Sequence, residues 1–199
     1  MKKLDTKDIT TIGMLSGLSI LLGLTPLGML PLGVIRITTL HIPTIIGAII
    51  GGPIVGGIVG LIFGIFSLVQ NIMAPVAISF IFWNPLVSVL PRFLIGFLSG
   101  YLYKALKKAK VKPLLSFAIV GAVGTLINTI GVLGMGYIFF ANRIYETLKV
   151  NAAVLLGGIA LANGPAEMLA SSIIVTAICS ALLLNKGKNK KTKNKKQEK

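Results

Sequence analysis

The sequence predicts an all-α integral membrane protein, a bundle of six transmembrane helices with both termini in the cytoplasm. Three observations predict it. Of 199 residues, 54% are hydrophobic and 13% charged, and the mean hydropathy is +0.89, more apolar surface than a soluble domain can hide. The apolar residues gather into six runs, most of them near the ~20 residues that cross a bilayer core. The positive charge gathers into three blocks that six spans would place on one side.

The spans follow in order. The first covers about 9–24 and ends in the loop "TPLGMLPLGVIR"; its polar leader "MKKLDTKDIT" has no small-residue cleavage pattern, so it reads as a retained helix rather than a signal peptide. The second covers 37–50, short for a bilayer, and so tilted, broken or shielded by neighbours. "GGP" then makes a tight turn into the third, 54–69. A semi-polar loop, "QNIMAPVAISFIFWNP", leads to the fourth, 86–106. The basic turn "KKAKVKP" precedes the fifth, 114–139, and the loop "ANRIYETLKVN" precedes the sixth, 152–184, where Pro165 starts or kinks a helix. Residues 1–185 thus form one membrane domain, and 186–199 a disordered, lysine-rich tail.

Charge sets the orientation. Lys2, Lys3 and Lys7 precede the first span; Lys104, Lys107, Lys108, Lys110 and Lys112 lie between the fourth and fifth; eight lysines from Lys186 to Lys199 follow the sixth. These make up sixteen of the 20 basic residues, and the positive-inside rule places them in the cytoplasm. The net charge of +15 is therefore a topology signal, and no nucleic-acid partner is expected; membrane lipid is. The single cysteine, Cys179, excludes a disulfide framework within the chain and any multi-cysteine metal site.

Several polar residues do not belong in lipid. Arg92 lies roughly 10 Å below the outer end of the fourth span and Asn128 roughly 15 Å from that of the fifth, at 1.5 Å per residue. Asn163 and Glu167 stand one helical turn apart on the sixth segment, and His41 about one turn into the second. Intramembrane polar groups face a bundle interior or a wet cavity, so these five predict an outward-facing pocket, with Arg36, Trp83 and Asn84 at its rim. Each has a plainer structural role open to it. Arg92 and Glu167 can neutralise each other; Arg36 can snorkel to headgroups; His41 can pack or cap a helix. Asn128 can bond two helices, and Trp83 can anchor in the aromatic belt. A guanidinium in such a pocket suits a carboxylate, through its planar pair of donors. A small polar ligand bearing one is expected, with hydroxyl or amide groups for the asparagines.

Gly52, Gly56, Gly60 and Gly64 make a smooth stripe on the third span, expected to pack internally. Gly13 and Gly17 make a similar face on the first, expected to meet a partner. No nucleotide-binding loop or metalloprotease motif is present, and Glu167 is the one acidic residue within a span. An enzyme is not expected, nor a metal or cofactor. A self-sufficient ion-coupled permease and an assembly subunit without ligand both remain open.

The stretches "LHIPTIIGAIIGGPIVGGIVGLIFGIFSL", "LPRFLIGFLSGYLYK" and "GAVGTLINTIGVLG" resemble the substrate-binding S components of energy-coupling factor (ECF) vitamin transporters. The resemblance covers nearly the whole chain up to the tail. It is closest to the pantothenate-type branch, with folate and pyridoxine relatives nearby. It implies six membrane helices, a vitamin site near the outer face, and a partner module of one transmembrane coupling protein and two ATPase subunits that use the ATP. The family's small-residue docking face falls on Gly13 and Gly17, glycine replacing alanine, and the arginine of its P-R-x-L-x-G motif falls on Arg92. The expectation is a high-affinity substrate-binding subunit of an ATP-driven importer in the cell membrane, its ligand pantothenate or another vitamin.

Overall fold

The computed structural model describes residues 4–32 and 35–184, with side chains for 4–28 and 38–183. Helix α1, Thr6–Leu24, opens on a capping box: Asp5 accepts the Lys7 amide at 2.9 Å, and Asp8 accepts the Asp5 amide at 3.3 Å. It ends where Thr25 becomes extended. A short strand pair then interrupts an otherwise all-helical chain. Strands β1, Met29–Leu32, and β2, Ile35–Thr38, pair antiparallel, from Met29 opposite Thr38 to Leu32 opposite Ile35. The alternating, β-branched "IRIT" suits a strand with two unlike faces.

This hairpin takes residues assigned to the second span. Helix α2 begins only at Ile42 and ends at Gly51, about 15 Å long, half of what a span needs. Residues Ile42 to Ile49 are all buried, and α2 packs against α1, α3, α6, α7 and α8. The shielded alternative for the second span is the one seen. Gly52 then takes φ 91°, where a side chain would be strained, and Pro53 starts α3, Pro53–Met73.

Two four-residue turns follow, α4 (Ser79–Phe82) and α5 (Pro85–Ser88), then α6, Leu90–Lys108. The fourth span is thus interrupted at Val89, and Arg92 stands in the first turn of α6. Helix α7, Pro113–Leu148, has 36 residues, about 54 Å. The predicted loop after 139 is helical instead, because "ANRIYETL" holds no glycine or proline to stop it. Lys149 ends the helix at φ 56°, and Asn151 caps α8 by accepting the Ala153 amide at 2.8 Å. Helix α8, Ala152–Cys179, continues past Pro165, which neither starts it nor separates two segments.

Among the described residues, five helical segments are long and apolar enough to cross a membrane, and the chain is a multi-pass membrane protein. The start of α1, the α2–α3 turn and the end of α6 lie together: Lys104 lines a hollow with Leu4, Asp8, Gly51 and Pro53. Lys7 and the 104–112 block therefore share one end of the bundle. The 186–199 tail lies outside the described residues. The opposite end carries the hairpin, the 74–84 segment and the α7–α8 turn.

The glycine stripe of α3 faces inward, against α6. An added Cβ at Gly60 would collide with the Arg92 carbonyl oxygen, one at Gly64 would lie 2.7 Å from the Val89 Cα, and one at Gly56 would lie 2.8 Å from the Gly96 carbonyl oxygen. Gly100 meets Pro53 in the same way. The two helices touch backbone to backbone for their shared length.

Candidate ligand-binding cavity

Residues from four helices and two connecting segments enclose a cavity of about 280 Å³ at the hairpin end. Helix α3 contributes Phe63, Ser67, Gln70 and Asn71, a spacing that places all four on one face. Helix α6 contributes Arg92; α7 contributes Asn128, Thr129, Val132 and Leu133; α8 contributes Ile159, Asn163, Gly164 and Glu167. Thr38 and Leu40 enter from the hairpin side, Val76, Ile78 and Phe82 from the segment after α3.

Arg92 is 6% exposed. Its place follows from the seam: with its carbonyl oxygen against Gly60, the α6 backbone is fixed there and the side chain extends into the cavity. Nη1 donates to the Val87 carbonyl at 2.8 Å. The rings of Phe63 and Phe82 lie 5.7 and 5.4 Å from Cζ, within cation–π range. Nε is buried with no partner among the described residues. Glu167 does not serve as the guanidinium's counter-charge; its Oε1 accepts the Thr38 backbone amide at 2.8 Å, which ties the hairpin to α8. The Asn128 Oδ1 is also buried without a partner. Arg92 and Asn128 line one hollow, and each carries a buried polar atom with no partner among the described residues, where such groups are normally satisfied. A ligand carrying an anionic oxygen and a hydroxyl or amide hydrogen suits the chemistry of these two side chains.

Arg92, Asn128, Asn163 and Glu167 are thus brought together, and three other predicted residues stand elsewhere. His41 is fully buried behind the cavity wall, its Nε2 2.9 Å from Thr125 Oγ1. That hydroxyl donates to the Gly121 carbonyl at 3.0 Å, so His41 supplies the proton of the first bond and links α2 to α7. Trp83 is 46% exposed and donates to the Asn71 carbonyl at 3.0 Å. Asn84 caps α5, accepting the Leu86 amide at 2.9 Å. Arg36 stands on β2, and its side chain lies outside the described residues. Gly13 and Gly17 have open space at the Cβ position, on the face of α1 that also exposes Met14 and Leu21.

The sequence reading missed Thr38, Ser67, Gln70 and Asn71 as lining residues. The adjacent polar pair Gln70–Asn71, closing an apolar helix, was the available signal. No group of three metal-ligating side chains occurs among the described residues.

Two comparisons bear on this geometry. A family model described as "ECF transporter, substrate-specific component" matches residues 7–179. A curated relative, the pantothenic acid transporter PanT of Lactococcus lactis subsp. cremoris (strain MG1363), is 30% identical over 154 residues, covering 70% of this chain and 74% of the relative.

Proposed function

This chain belongs to the family of substrate-specific components of ECF transporters, a family of transport subunits and not of enzymes, and from that premise we propose that it captures pantothenate in the cavity beside Arg92. The observation that carries the proposal is the state of that side chain. It is buried, lines the cavity, and gives one hydrogen bond to a neutral carbonyl while Nε has no partner among the described residues. A buried cation left so is stabilised by a ligand carboxylate. The relative's pantothenic acid supports the choice of vitamin. In this reading the carboxylate lies on Arg92, and Asn128, Asn163 and Glu167 take the hydroxyl and amide groups. Phe82 and its neighbours cover the site. A volume at the small end of ligand cavities suits a small vitamin.

The chain has no nucleotide-binding motif of its own. ATP is therefore hydrolysed on partner chains, two ATPases joined through a transmembrane coupling protein that docks on the Gly13 and Gly17 face. The basic end of the bundle is cytoplasmic and the cavity end faces out, in the cell membrane. No cofactor is needed by this subunit.

The test is thermal stability of the purified chain against a panel of water-soluble vitamins, with Arg92→Ala beside the native protein. Pantothenate at a hundred times its Kd adds about 2.7 kcal/mol to the native protein and nothing to the variant. A response to another vitamin alone moves the ligand and keeps the site. No response to any, or an unchanged response in Arg92→Ala, overturns the assignment.

A further inference from the structure

Resting on that reading of the cavity, we infer that Ser79, which does not line it, is a positioning residue for ligand binding. Ser79 is fully buried. Its hydroxyl accepts the Val76 amide and donates to Asn71 Oδ1, both at 2.8 Å. Asn71 Nδ2 donates to the Ser67 carbonyl at 2.8 Å, and the Asn71 carbonyl accepts the Trp83 indole. One serine and one asparagine therefore tie the 74–84 segment to the last turns of α3. The amide orientation is fixed by its neighbours: turned over, Oδ1 would face the Ser67 carbonyl.

The segment is held by packing, with Phe80 and Ile81 buried against Val87, Val132, Ile144 and Leu156, and by this tie at its Val76 end. Apart from the four residues of α4 it has no helix ladder of its own. It carries three lining residues, Val76, Ile78 and Phe82. Phe82 is the ring 5.4 Å from the Arg92 guanidinium, and its carbonyl accepts the Ser88 hydroxyl. Ser79 thus holds the aromatic shelf that Arg92 rests on, from outside the cavity. Its contribution is preorganisation: without it, the Val76 end of the segment must be ordered when ligand binds.

The experiment uses the full purified chain, pantothenate as the probe, and hydrogen exchange of the 74–84 amides in ligand-free protein. Ser79→Ala speeds exchange of the Val76 amide and weakens pantothenate binding about tenfold, the fold-change of one hydrogen bond. Ser79→Thr, which keeps the hydroxyl, restores both. Faster exchange with native affinity overturns the inference, as does unchanged exchange. If Ser79→Ala does not fold, Trp83→Phe removes the exposed end of the same tie and weakens binding about threefold; unchanged affinity there overturns it as well. If the native chain binds another vitamin and not pantothenate, the choice of ligand fails and the same two measurements are made with that vitamin; if it binds none, the proposed function fails and this inference with it.

Discussion

Helix α3 meets two different surroundings along its length. From Pro53 to Gly64 it lies against α6 with almost nothing between the backbones. From Phe63 to Asn71 it forms a wall of the cavity, with Ser67, Gln70 and Asn71 turned toward a hollow. The first stretch places each backbone where no side chain fits. The second leaves Arg92 Nε and Asn128 Oδ1 without partners. The seam is packed backbone to backbone, whereas the cavity keeps polar side chains beside open space. One helix serves both because its glycines occur every fourth residue only as far as Gly64.

Substitutions should separate the two regions. The largest effect is expected in the seam: Gly60→Leu forces α3 from α6 and destabilises by about 3 kcal/mol or more, with ligand binding lost because the fold is lost. Thermal melting in detergent checks it. Next, Arg92→Met weakens pantothenate binding about a hundredfold, as expected for charge-assisted hydrogen bonds. The empty protein should melt no lower than native, since an apolar side chain replaces a buried cation. Calorimetry and melting on one sample read both. Asn128→Leu follows, with about a tenfold loss of affinity and no loss of stability, because its acceptor has no partner to lose. His41→Gln gives the converse, about 1 kcal/mol of stability lost with the Thr125 bond and little change in affinity. Gly13→Leu, on the open face of α1, should change neither quantity; co-purification with partner subunits is where it would register.

Much of this division was legible in the residues. The apolar runs gave the long helices, the four-residue glycine spacing gave the seam, and charges stranded at membrane depth pointed to a hollow. Arg92 and Glu167 were found because an ionised group in lipid has few stable places. What escaped has physical causes too. The hairpin at 29–38 is apolar like a span, and only the alternation in "IRIT" distinguishes it. The extension of α7 past Phe139 carries Arg143 and Glu146, which read as loop although nothing there breaks a helix. His41 was polar at the right depth, but depth does not say which way a side chain turns, and Thr125 claims it. Trp83 and Asn84 stood beside the right segment and serve its local bonds instead.

The contact between Gly60 and the Arg92 carbonyl has one more implication. A backbone pressed on a backbone has no rotamers to exchange, so the stem of the guanidinium cannot shift to suit a longer or shorter guest. Adaptation is left to the two connecting segments that line the hollow through Thr38 and Leu40 and through Val76, Ile78 and Phe82. Grafting those two stretches between relatives, with the helices untouched, is where a change of vitamin preference should come from.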